Sequence, residues 1–168
     1  MKALRKFNFL MRKILLLWGT LLLSAFVAVV FLQVISRNIL RVSMDWTSEV
    51  ALLTFVWSVM SGSAVALSMR RHYMVDLIPV RYVKLNKGVL ILSDLLVMAF
   101  ILSLIWGGAR FAFLGWYRLT TALEIPRFWL FVSLPISAFF MLTFNVENLL
   151  IDIKDFRAPQ EEGGVDRV

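Results

Sequence analysis

Cysteine is absent from the chain, and histidine occurs once, at His72. No disulfide framework and no thiolate metal site is therefore available. The single histidine also excludes a haem held by two histidines between membrane helices. Charge is scarce too: only 17% of residues are Asp, Glu, Lys or Arg, and acids number 11 against 18 bases. No internal repeat, heptad array or low-complexity segment is present. What the chain has is apolar length. Hydrophobic residues make up 60% of it and the mean hydropathy is +0.80, whereas about 45–50% apolar is already normal for a soluble domain. The net charge of +7 does not read as a nucleic-acid signal. The bases flank apolar runs, where they set topology and meet the head groups of membrane lipids. The composition is that of an integral membrane protein.

Four apolar stretches organise it into an all-α integral membrane protein. The basic segment 1–13 carries Lys2, Arg5, Lys6, Arg12 and Lys13 and no acid. It precedes a charge-free run over residues 14–35, about 33 Å long as a helix, enough to cross a core of about 30 Å. A signal peptide has a shorter apolar region of about 7–15 residues, so an uncleaved first span is expected. Residues 36–45 place Arg37 and Arg41 four apart, with Ile39, Leu40 and Met44 on one face. This predicts a short amphipathic interfacial helix between the first two spans. A second span is expected over 46–69, with Asp45 as its cap and Glu49 near its first turn, where the helix dipole favours an acid. A third is expected over 88–113 and a fourth over 126–150, opened by Pro126 and kinked at Pro135. Together they form a membrane domain over 14–151, followed by a polar, disordered tail over 152–168.

Lys and Arg set the orientation. Thirteen lie in the amino-terminal segment, the loop 70–87 and the tail; five lie in and beside the other two loops. Positive residues stay inside. This puts both termini and the loop 70–87 in the cytoplasm, and 36–45 and 118–127 on the outside.

Few residues could carry chemistry. Glu49 can pair locally with Arg37 or Arg41, pair with a partner's arginine, or bind a cation, the first two being favoured. Asp94, about two turns into the third span, needs pairing or hydration. It is expected to meet His72, Arg70 or a partner helix. Arg110, one or two turns from the outer end, is expected to snorkel outward. His72 reads as a surface or lipid-contacting residue, and Glu147, beside Asn145 and Asn148, as a cytoplasmic interfacial group. Ser58, Ser61, Gly62, Ser63, Ala64 and Ala66 offer small surfaces for close helix approach. Most tryptophans form an interfacial belt, while Trp57 is placed as a packing knob within the second span. No nucleophile has a base nearby, no Gly-rich loop cradles phosphate, and no cluster has metal spacing. The chain reads as a non-enzyme without catalytic, cofactor or metal residues.

One ordered set of motifs is SRNIL (36–40), WTSEVALLTFVW (46–57) and GSAVALSMRRHYMVDLIP (62–79). In this order it resembles the small membrane subunit, of DctQ type, of a tripartite ATP-independent periplasmic (TRAP) transporter. The matching positions are Arg37, Trp46, Glu49, Gly62, Ala64, Arg71, His72 and Asp76. Three residues separate His72 from Asp76, where the family pattern has two between them. The resemblance implies a bacterial inner-membrane scaffold subunit. Its partners would be a large M-type membrane subunit, which performs sodium-coupled symport, and a periplasmic binding protein that delivers an organic acid to the outer face. Partner-interface candidates are Arg37, Arg41, Trp46, Glu49, Gly62, Ala64, His72, Asp76, Asp94 and Arg110. The alternatives are a free-standing small channel or exporter, and a haem- or quinone-associated membrane anchor.

Overall fold

The computed structural model describes residues 2–69 and 83–157. Its elements are α1 (Lys2–Ile35), α2 (Asp45–Ser68), α3 (Val83–Trp116), a short α4 (Phe128–Phe131) and α5 (Ser133–Arg157). Four helices are long and apolar enough to cross a membrane. They are apolar on nearly every side, as spans surrounded by lipid must be. Among the described residues no strand forms, only one antiparallel bridge between Leu119 and Pro126. α1, α3 and α5 overrun the apolar stretches into their flanking polar residues, whereas α2 keeps to its own. Thus α1 already runs through the basic amino-terminal segment.

Two local expectations are corrected. The amphipathic interfacial helix over 36–45 does not form. Instead α1 widens into a five-residue π-helical turn, Ser36–Leu40, and Arg41 follows in the left-handed region at φ 54°. The amides of Arg41 and Val42 both reach the Ser36 carbonyl, the latter at 3.2 Å. The Ser36 hydroxyl donates back to the Val42 carbonyl at 2.8 Å. This closed turn leaves only residues 41–44 between α1 and α2, too few for another helix. Asp45 also does not cap α2: Met44 occupies the cap position. Asp45 instead accepts a hydrogen bond from the Ser43 hydroxyl at 2.7 Å and lies in the first turn, where its charge still favours the helix dipole.

The last span is likewise divided. Pro135 lies in the first turn of α5, where its missing amide costs little, and the break falls one turn earlier, at Val132. Pro135 could not have donated to the carbonyl of Phe131, four residues back, and α4 ends there.

The helices form a row more than a square bundle. α1 packs along α2, α2 along α5, and α5 along α3, with a smaller contact between α1 and α5. Among the described residues neither α1 nor α2 packs on α3. The core is a thin seam of Leu15, Ala64, Val65, Ile101, Ala138, Met141 and Phe144. Small residues permit the close approaches. Ser58, Ser61 and Ala64 are buried on α2, whereas Gly62 is exposed and a methyl group built there meets nothing within 4 Å. Gly115 is different. A methyl group there would lie 2.7 Å from the Phe131 ring and 2.9 Å from the Phe128 amide nitrogen, so glycine lets α3 touch the backbone of α4.

The row leaves wide apolar faces. Only 6% of the most apolar stretch of α1 and 11% of that of α3 are buried within the chain, against 28% for α2 and 33% for α5.

Candidate functional site

The polar groups gather at the two ends of the row. At one end the segment after α3 folds back as a hairpin. The Thr120 amide donates to the Ile125 carbonyl at 2.9 Å, and the Arg127 amide to the Arg118 carbonyl at 2.8 Å. At its tip Glu124 takes φ 53°, a left-handed conformation that costs a residue with a Cβ atom. The turn thereby aims three successive amides at α2. Those of Thr121 and Ala122 donate to Glu49 Oε1 at 2.7 and 2.8 Å, and that of Leu123 to Oε2 at 2.9 Å. Successive main-chain amides around one anion form a nest, and bonds to an ionised acceptor are stronger than neutral ones. Here the anion is a side chain of the same protein.

Glu49 is thus held by backbone, where pairing with Arg37 or Arg41 was the local expectation. It acts as a clamp between the start of α2 and the hairpin. A cavity of about 350 Å³ lies beneath, lined by Glu49, Leu52, Thr121, Pro126 and Trp129 among others. A second tie lies deeper: Trp57 Nε1 donates to the Trp129 carbonyl in α4 at 2.9 Å. The knob expected at Trp57 is therefore a half-buried ring whose polar edge fastens α2 to α4. The Trp116 and Phe128 rings, 5.1 Å apart and edge to face, secure the hairpin base.

The structure brings Arg37, Arg41, Trp46 and Glu49 to this hairpin end, and the first three are exposed. Arg110 is exposed on α3, with its guanidinium 5.3 Å from the Trp106 ring centroid. Ala64 lies in the core seam of the chain itself. Asp94 is fully buried, and Asn145 donates to its backbone carbonyl at 3.1 Å. His72 and Asp76 lie outside the described residues. Among the described residues no three His, Asp or Glu side chains converge as a metal ion would require.

At the opposite, terminal end the structure joins Glu147 to a residue the sequence did not point to, Asn8. Asn8 is buried. It donates to the Thr143 carbonyl at 3.2 Å and to Glu147 Oε2 at 2.6 Å. Arg5 approaches Glu147 Oε1 at 3.7 Å, and Asn148 donates to the Leu67 carbonyl at 3.4 Å. This layer ties α1, α2 and α5 together. An asparagine inside a basic segment was the available signal, but its partner lies 139 residues away.

Comparison with known proteins agrees on one family. The model of the family described as "Tripartite ATP-independent periplasmic transporters, DctQ component" matches residues 26–155, from within α1 through the hairpin to the last turn of α5. The chain is also similar to the sialic acid TRAP transporter permease protein SiaT of Haemophilus influenzae (strain 86-028NP). The two are 27% identical over 139 residues, which cover 82% of this chain and 22% of that protein. The chain thus spans well under half of the relative's length.

Proposed function

Because the chain belongs to the DctQ family of TRAP transporter components, we propose that it is a small, non-catalytic permease subunit that broadens the scaffold of a larger membrane subunit. Family membership makes it a transporter component and not an enzyme. Its four spans make it a multi-pass membrane protein. The larger subunit carries out sodium-coupled symport, and a soluble periplasmic binding protein brings the cargo to the outer face. The relative is named for sialic acid, which supports an organic acid as the class of cargo.

The observation that carries this reading is the row. A chain whose outermost helices bury 6% and 11% of their most apolar stretches has broad faces to offer lipid on one side and a protein partner on the other. Association inside a bilayer relies on packing and interhelical hydrogen bonds, because lipid tails are as apolar as the helices. The membrane is the bacterial inner membrane, with both termini in the cytoplasm, as the distribution of thirteen bases against five favours. The hairpin and the turn at 41–44 then face the periplasm. Arg37, Arg41, Arg118 and Arg127 lie where acids of a docking protein would meet them.

Glu49→Ala tests the reading. It is expected to lower recovery of the assembled transporter, or its uptake rate, while leaving the order of preferred substrates unchanged. A changed substrate preference would place Glu49 in the transport path and contradict it.

A further inference from the structure

A second cavity, of about 470 Å³, opens at the terminal end between α1, the end of α2 and α5. Three cations line it, Arg5, Lys6 and Arg12, against one acid, Glu147. That acid is already engaged by Asn8 and Arg5, and no acid among the described residues pairs with Lys6 or Arg12. The Arg12 guanidinium stands 5.6 Å from the Phe9 ring centroid, an arrangement that holds its charge at the rim.

The height of the cavity in the membrane is set by the sequence. Arg12 is two residues from the charge-free run, about 3 Å at 1.5 Å per residue, which puts it in the head-group layer. Phe7, Phe9 and Leu10 beside it are 45–55% exposed, as side chains against lipid would be. Farther into the membrane the same stripe of α1 continues from Arg12 to Leu16 and Thr20, at four-residue spacing. There it borders an apolar groove of about 300 Å³, lined also by Leu23, Val59 and Val65. A cationic cavity at head-group height above an apolar groove matches an amphiphile better than a soluble anion. Basic pockets between membrane helices are suited to lipid phosphates.

We propose that Arg5, Lys6 and Arg12 bind the phosphate of an anionic phospholipid whose acyl chain lies along the α1–α2 groove. The proposal depends only on the chain crossing the membrane, so it can fail while the transporter reading holds, and the reverse.

The full chain, purified in a non-ionic detergent, is titrated with phosphatidylglycerol, phosphatidylcholine or inorganic phosphate, and adducts are counted by native mass spectrometry. One phosphatidylglycerol is expected to be retained in preference to phosphatidylcholine. Arg12→Gln and Lys6→Gln should each weaken it about fivefold, since a membrane-surface base contributes about 1 kcal/mol. Glu147→Gln should tighten it by a similar factor. Lys154→Gln, at the same end but outside the cavity, should change nothing. Thr20→Trp, which fills the groove and keeps every charge, should release the lipid, with circular dichroism confirming that the helices persist. Equal retention of the two lipids, or equal losses for Lys154→Gln and Arg12→Gln, would overturn the proposal. Displacement of the lipid by inorganic phosphate alone would assign the cavity to a soluble anion. Displacement by a co-purified membrane protein would assign it to a protein acid. Either result would overturn the lipid reading.

Discussion

Replacing Glu49 by glutamine keeps the length of the side chain and turns one of its two acceptor oxygens into a donor. The three amides of Thr121, Ala122 and Leu123 divide between both oxygens, so any rotamer of the glutamine abandons at least one of them. Amide hydrogen exchange at 121–123 should therefore accelerate several-fold or more in Glu49→Gln, while the amides of α5 keep their rates. Unchanged exchange at the hairpin tip would remove Glu49 as its clamp. Gly115 makes a second residue-scale test, against Gly107, where an added methyl group meets nothing within 4 Å. Gly115→Ala forces the Phe128 backbone away and should cost about 1–3 kcal/mol. Gly107→Ala should be neutral, or stabilising by up to about 1 kcal/mol through helix propensity. Thermal unfolding of the two variants in detergent separates these outcomes. Glu49 stood out in sequence as an acid near the start of a span. Its partner did not, because backbone amides leave no side-chain signal, and LTTALEIP holds no glycine or asparagine to mark the left-handed residue at Glu124.

The spans were legible as elements because long apolar stretches, the first of them 22 consecutive uncharged residues, must satisfy their backbone internally in lipid. Their connections were harder to read. Residues 36–45 have an amphipathic helical pattern, yet Ser36 accepts the amides that would have continued it, and the chain turns. Pro126 and Pro135 suggested one kinked helix, whereas α4 and α5 are separated at Val132 because proline takes its usual place in a first turn. Pairing between elements was the least accessible level. Asn145 is buried against α3, donates to the Asp94 carbonyl at 3.1 Å, and keeps its own oxygen without a hydrogen-bond partner among the described residues. Asn145→Ala should destabilise the α3–α5 pair by about 0.5–2 kcal/mol, the range of interhelical hydrogen bonds in membranes. Detergent unfolding measures it, and no loss of stability would show that apolar packing alone holds these helices together.

On the scale of the molecule, the proposed scaffold role rests on the row. Four helices side by side bury little of one another and leave faces that a partner can cover. The proposed orientation of the row rests on the distribution of bases, and the absence of cysteine from the chain makes it simple to test. Ser43→Cys, in the turn before α2, should react in intact cells with a membrane-impermeant thiol reagent. Lys154→Cys, in α5, should react only after the cells are opened. The reverse pattern would invert the topology. The row itself was not legible in the sequence, which announces helices but not their neighbours. The central claim is that this chain works as part of a larger permease. It is tested most directly by expressing it, tagged, together with the genes beside its own and purifying through the tag. The account predicts a stoichiometric complex with a much larger multi-span membrane protein, and no uptake by the small chain alone. Purification of the chain by itself as a stable homo-oligomer that conducts ions would contradict it.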